Sequence, residues 1–355
     1  MVVQGDGTLR AARFDPKAGV ARGGFTTIMT GLSADLSSVG ALSVSNDGTI
    51  IYSLAGPGTD VVRVHRDGGR EEVVDPNWRG EFGPVAVSPE GSQLAVSVLR
   101  GGRRELWVKA LPNGSFTRLS AGGTQNYRPS WSPDGREVVF TSDQGGAIAA
   151  YHVPADGSAP PKPLFASPIS VDEGGYSPDG RWILFRTGSG GGRDVFARRT
   201  VGDTALVPVA TTPAEEFSPA MSPDGRWVAY SSDATGRTEV YVRPFPDAGK
   251  ARYPVSRNGG AEPLWSHSGR ELFFRDGEQN LVAAELAPSG SFRVVAERKL
   301  FSVARYLRDN RHHAYSVAPD DRSFYFVKMP SSSVAGDEVI ITVNGFAELR
   351  RKVGK

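Results

Sequence analysis

Cysteine is absent from this 355-residue chain, which removes disulfides, thiolate metal ligands and a cysteine nucleophile together. Histidine is scarce: His65, His152, His267, His312 and His313 are scattered, so an imidazole-rich metal centre would have to gather remote residues. An excess of charge of one sign is also missing, with 41 Lys and Arg against 39 Asp and Glu. Nothing in that balance argues for nucleic acid or a membrane surface as partner, and Arg100-Gly101-Gly102-Arg103-Arg104 reads as a solvated loop. No run approaches about 18 apolar residues, and the first residues lack the basic start and apolar core of a signal peptide. The expectation is a chain without membrane insertion, cytoplasmic as written and extracytoplasmic if it belongs to a longer membrane-anchored protein.

What is present is a turn that returns about every 45 residues. Ser132-Pro133-Asp134-Gly135-Arg136 recurs as Ser177-Pro178-Asp179-Gly180-Arg181 and Ser222-Pro223-Asp224-Gly225-Arg226. Weaker copies begin at Ser45, Ser88, Ser266 and Ala318, so the start-to-start spacings are 43, 44, 45, 45, 44 and 52 residues. Each residue type has a turn-forming reason: Ser bonds onward, Pro pre-sets φ, Asp tolerates the bridge region and Gly suits the exit. Strand-like runs surround every copy; Trp227 to Ser232, Glu239 to Phe245 and Arg252 to Ser256 follow the third. These runs are nearly continuous in apolar residues, as in sheets buried on both faces. The 43 Gly and 25 Pro fit an all-β chain rich in turns.

A repeat of this period predicts an all-β propeller of four-stranded antiparallel blades. Repeats pack on their neighbours, so 355 residues are read as one domain rather than two. Within 1–355, residues 1–30 are the amino-terminal closing strands, 31–330 the repeats, and 331–355 a closing strand with a short basic tail. Seven anchors favour seven blades, the last shared between strands from both termini. Eight is the rival if Val2 to Gln4 joins the strand Glu338 to Val343, and six requires one anchor to be false.

The stretches Trp131 to Arg136 and Ser222 to Ser232 resemble the TolB-type, WD-like propeller repeat. Glu239 to Pro246, continuing through Gly259-Gly260-Ala261-Glu262-Pro263-Leu264-Trp265 to Arg275, is similar to the carboxy-terminal propeller region of bacterial serine/threonine protein kinases. Leu9 to Asp15 and Val343 to Leu349 match that region too, although Gly345 stands where relatives place Trp. The resemblance implies a bacterial sensor or protein-interaction domain, either free-standing or a fragment of a larger receptor-type kinase. No kinase motif is present: Gly188-Ser189-Gly190-Gly191-Gly192 lacks the final spaced glycine, and Arg308-Asp309-Asn310 lacks its preceding His.

No Gly-x-Ser-x-Gly elbow supports a serine hydrolase. Asp172-Glu173 and Glu215-Glu216 precede the inner strands of two blades, and His312-His313 precedes that of the last. If the anchors connect first to second strands on one face, these lead-ins open on the other. That face would present Trp78, Arg79, Gln125, Asn126, Tyr127, Arg128, Asp172, Glu173, Glu215, Glu216, Glu262, Arg311 and His312 around the channel mouth. Mixed acids, Arg and aromatics have the composition of a peptide or protein docking surface. The expectation is a monomeric, non-enzymatic recognition or sensor module for a peptide, protein or small ligand, without catalytic residues, metal or cofactor. Its alternative is a lyase or hydrolase using Asp172, Glu173, Glu215, Glu216 and His312. Arg128 facing Glu173 and Glu216 could equally form a ring of mutual salt bridges. Trp131, Trp182, Trp227 and Trp265, beside the anchors, are read as packing between blades.

Overall fold

The structure, a computed structural model, describes residues 2–3, 9–15, 17–29, 42–45, 49–53, 58–78, 80–165, 167, 169–188, 192–288, 291–309, 311–330 and 339–342. They fall into two compact units, one of Met1–Thr59, Leu99–Arg103 and Met329–Lys355, the other of Asp60–Val98 and Arg104–Lys328. In the first, β1 (Val2–Val3), β2 (Leu9–Asp15) and β3 (Val20–Met29) form one antiparallel sheet. A second sheet holds β4 (Leu42–Val44), β5 (Ile50–Ser53) and β30 (Val339–Thr342) in the order β30-β5-β4.

The second unit is a ring of six four-stranded blades. Blade one is β8 to β11 (Glu81–Val87, Gln93–Arg100, Arg103–Ala110, Phe116–Arg118), and blade two is β12 to β15 (Asn126–Trp131, Glu137–Gly145, Ala147–Pro154, Lys162–Pro163). Blade three is β16 to β19 (Val171–Tyr176, Trp182–Thr187, Val195–Arg199, Val207–Ala210), and blade four is β20 to β23 (Glu216–Met221, Trp227–Ser232, Glu239–Pro244, Tyr253–Pro254). Blade five is β24 to β27 (Gly260–Trp265, Glu271–Asp276, Asn280–Leu286, Val294–Ser302). Blade six closes the ring by pairing β28 (Tyr315–Val317) and β29 (Ser323–Lys328) with β6 (Asp60–His65) and β7 (Glu71–Val73), in the order β28-β29-β6-β7. Strands from the two ends of the repeat region therefore share one sheet.

Closure is secured by apolar packing on both flanks of blade six. Val61, Tyr325 and Val327 join Phe82, Leu94 and Val96 of blade one, while Val62, Phe324 and Phe326 join Phe273 and Leu281 of blade five. Fully burying each such side chain is worth about 1.5–3 kcal/mol. The middle strands show why alternation is lost: every residue of Val228–Ser232 is buried, because a neighbouring blade covers each face. Trp131 donates its indole N–H to Ala86 O and Trp265 to Ala220 O, each at 2.9 Å, so these rings tie a blade to the preceding one.

The blade count is thus six, the alternative that required a false anchor, and the false anchor is identifiable. Six anchors join the first and second strands of the six blades, whereas the Ser45 turn joins β4 and β5 of the separate sheet. In the ring, the anchor residue bonds the backbone five positions on, as in Ser132 N to Glu137 O and Ser222 N to Trp227 O. At Ser45, where the sequence has no proline, the partner is Thr49, four positions on.

Within the ring anchors, Ser222 Oγ donates to Asp224 Oδ1 at 2.6 Å and accepts from Trp227 N at 3.0 Å. Gly225 follows at φ +70°, a left-handed conformation that a side chain disfavours even where space is free. Gly225→Ala should therefore lower stability by about 1 kcal/mol, read as a lower urea midpoint at unchanged m-value.

Candidate binding site at the channel

The first strand of each blade faces the channel, and three carry the same deformation. Pro129, Pro219 and Pro263 each stand three residues before an anchor serine, and the residues preceding them have positive φ: Arg128 at 56°, Ser218 at 52° and Glu262 at 59°. A residue before proline is driven out of the right-handed helical region. Here the ladder shifts register at the same place in β12, β20 and β24, which marks a β-bulge. Bulges re-aim side chains, and left-handed conformations of non-glycine residues concentrate where geometry serves a site.

The lead-in to β28 meets these bulges from blade six. Arg128 donates to Asp172 O at 2.8 Å and stands 3.7 Å from the Asp309 carboxylate. His312 Nδ1 lies 2.5 Å from Glu173 Oε1, and His313 Nε2 lies 2.8 Å from Pro263 O. Ala314 N donates to Glu262 Oε2 at 2.8 Å, and Arg275 donates to Leu307 O at 2.7 Å. Leu307, Asp309 and His312 to Ala314 are thereby held to blades two, three and five.

Two buried glutamates titrate in opposite directions for legible reasons. Burial pushes the Glu173 carboxyl up, but His312, Arg186 and His313 overcome it and hold the carboxyl at about 2. Both of its oxygens are engaged: Oε1 by His312, Oε2 by Arg186 Nε and Ser218 N, each at 3.3 Å. Glu262 is as deeply buried, yet Oε1 lacks a hydrogen bond and Oε2 has the Ala314 amide and Arg275 Nε at 3.3 Å. Burial wins there, and the carboxyl rises to about 7. His313 falls to about 4 because burial disfavours the imidazolium. Among the described residues, Arg128 Nε, Arg186 Nη2 and Ser218 Oγ are further buried polar atoms without a hydrogen bond.

A pocket of about 530 Å³ opens beside this cluster, between blades one and two and the lead-in. Arg104, Arg128, Arg308 and Arg311 line it with Tyr127, Gln125 and one acid, Asp309. The Arg128 guanidinium lies 5.0 Å from the centre of the Tyr127 ring.

The residues expected at the mouth divide accordingly. Gln125, Tyr127, Arg128 and Arg311 line the pocket, and Glu173, Glu262 and His312 form the buried cluster beside it. Asp172 belongs to the same network, 3.5 Å from Arg186. Trp78 is instead buried against Phe82 and Phe116, with ring centroids 4.4 and 4.6 Å apart. Asn126 is buried with its amide spent on Arg104 O, Gly122 O and Ser142 Oγ. Glu215 pairs with Arg193, and Glu216 is buried under the Thr212 hydroxyl and amide. Arg79 lies outside the described residues.

The expected ring of Arg128 with Glu173 and Glu216 does not form: Glu173 pairs with Arg186, Arg128 stands beside Asp309, and Glu216 accepts from Thr212. Arg186, Arg104 and Arg308 were not among the residues expected at the mouth. Arg186 interrupts the buried run Ile183-Leu184-Phe185, and a charge within such a run is the signal that it has a buried partner.

Comparison with known proteins agrees with this architecture. Residues 43–200 match the TolB beta propeller domain family. The Tol-Pal system protein TolB of Anaeromyxobacter dehalogenans strain 2CP-C is 31% identical over 113 residues, covering 29% of this chain and 24% of that protein. Its counterpart in Anaeromyxobacter sp. strain K is 30% identical over 112 residues, covering 29% and 23%. The chain thus matches about a quarter of the length of these curated relatives. Among solved structures, the putative TolB from Agrobacterium tumefaciens gives a TM-score of 0.58 at 19% identity, over 78% of this chain and 100% of that one. The tricorn protease gives 0.50 at 15% identity, over 74% and 26%, and both likenesses speak for the fold alone. Residues 43–200 thus carry TolB-like repeats, and the fold is a β-propeller ring of six four-stranded blades.

Proposed function

We propose that this chain is a non-catalytic recognition module whose propeller docks an acidic peptide segment of a protein partner in the arginine-lined pocket. The observation that carries the reading is the charge of that pocket, where four arginines face one aspartate. Guanidinium groups bind carboxylates through paired, charge-assisted hydrogen bonds, and Tyr127 adds an aromatic wall of the kind that anchors peptides. The relatives named for the Tol-Pal system support a place in a protein assembly rather than a reaction. The acids of the enzymatic alternative are engaged within the fold, Glu173 by Arg186 and His312, Glu215 by Arg193 and Glu216 by Thr212, which favours binding over acid–base chemistry.

Fluorescence anisotropy with an Asp/Glu-rich labelled peptide tests the reading. The double variant Arg308→Glu/Arg311→Glu should raise Kd at least about tenfold, a change of about 1.4 kcal/mol, and the wild-type affinity should fall steeply with salt. Equal affinity for a neutral peptide of the same length, or no loss in the double variant, would remove the proposal.

A further inference from the structure

We propose that Glu173, His312 and His313 form a binding site for one divalent transition-metal ion of the zinc class, bridging blade three to the closing blade. One ligand atom from each side chain lies within 4.8 Å of the other two. Metal bonds of about 2.0–2.2 Å in a tetrahedral array put ligand atoms roughly 3.3–3.5 Å apart. His313 Nδ1 and Glu173 Oε1, at 3.7 Å, are already near that spacing. The 2.5 Å contact of His312 Nδ1 with the same oxygen opens to it by a shift of less than about 1 Å.

The surroundings of His313 and Glu173 match those of metal ligands. Pro263 O can only accept a hydrogen bond, so His313 donates through Nε2 and its Nδ1 lone pair is left on the side of the carboxylate. Two acceptors at that separation repel, and a shared cation turns the repulsion into ligation. A ligating histidine characteristically gives its other N–H to a backbone carbonyl, and a ligating carboxylate has its remaining oxygen hydrogen-bonded. Glu173 Oε2 receives Arg186 Nε and Ser218 N, which fits the second pattern. Two imidazoles with one carboxylate select zinc, cobalt, nickel or iron over calcium and magnesium, which take oxygen ligands. The three protein ligands leave one coordination position open. Blade three and blade six lie opposite one another in a six-blade ring, so the ion would tie positions 139 residues apart across the channel.

The site is independent of the acidic-peptide reading, and either can fail alone. The full chain, stripped by a chelator, is titrated with Co²⁺ while visible d–d absorption is followed, and Zn²⁺ is then added in competition. The expected result is one ion per chain, a tetrahedral or five-coordinate spectrum, displacement by Zn²⁺, and at least about tenfold weaker binding in His313→Gln. His152→Gln and His267→Gln should bind as wild type does. Since Glu173→Gln would disturb the buried Arg186 pair, imidazole NMR signals of the wild-type chain give a measurement that needs no variant: Zn²⁺ should shift two histidines of the five. The absence of stoichiometric binding, unchanged affinity in His313→Gln, or shifts confined to His65, His152 or His267 would overturn the proposal.

Discussion

Arg186→Leu should lower the unfolding free energy by about 3–5 kcal/mol, the largest loss expected from any single exchange at the channel. The Arg186 side chain is fully buried, 3.3 Å from Glu173 and 3.5 Å from Asp172. Removing it leaves the Glu173 carboxylate in the interior with the His312 ring as its remaining close side-chain partner. The lost pair attraction is not the dominant effect. What costs more is an ion held away from water without compensation. The double variant Arg186→Leu/Glu173→Leu should accordingly recover part of the loss, because replacing both charges removes the stranded ion. Urea unfolding at pH 7 followed by circular dichroism reads both. A loss below about 1 kcal/mol in the single variant would mean that the channel is wetter than its burial indicates.

The second large effect concerns pH. Glu262 rises from an ordinary 4.5 in the unfolded chain to about 7 in the fold. Below 4.5 both states are protonated and the group contributes nothing. Between 4.5 and 7 the unfolded chain ionises first, so the folded state loses stability as pH rises, by about 3 kcal/mol in all. His313 works against it. Its folded value of about 4 lies below the ordinary 6.5, so stability is gained as pH rises through that window. The two slopes nearly cancel between 4.5 and 6.5 in the wild type, and below 4.5 the protonation of Glu173 removes stability down to about 2. Glu262→Gln removes one member of the balanced pair. Relative to wild type it should gain about 2–3 kcal/mol between pH 4.5 and pH 8. Denaturant midpoints at several pH values check this, and parallel curves for the two proteins would contradict the assigned burial of Glu262.

The fold was legible because its signal is local and repeated. A Ser-Pro-Asp-Gly turn is dictated by backbone geometry, so it survives in sequence wherever the blade needs it. The count was harder, because Ser45-Asn46-Asp47-Gly48 obeys the same turn chemistry while joining β4 and β5 of the separate sheet. Its tell is small: the missing proline. At the site, main-chain direction could be inferred and side-chain partners could not. Trp78 and Asn126 fall on the expected segments yet turn inward, since an indole gains most from Phe82 and Phe116 and a primary amide from backbone carbonyls. Arg104 was hidden in a basic cluster that looked solvated. Arg308 and Asp309 read as a failed kinase motif, and their value comes from the lead-in that sets them beside Arg128. The bulges were within reach: a proline three residues before the anchor serine occurs in three blades, and it marks the positions whose side chains are redirected.

Peptide docking at one basic mouth of the six-bladed ring is the central proposal. Amide hydrogen exchange of the full chain, with and without a saturating Asp/Glu-rich peptide, tests that most directly. Protection should appear at residues 125–128 and 307–314, with the Ser-Pro-Asp-Gly turns at 132–136, 177–181 and 222–226 unchanged. Protection at those turns with none at the arginine-lined mouth would contradict it.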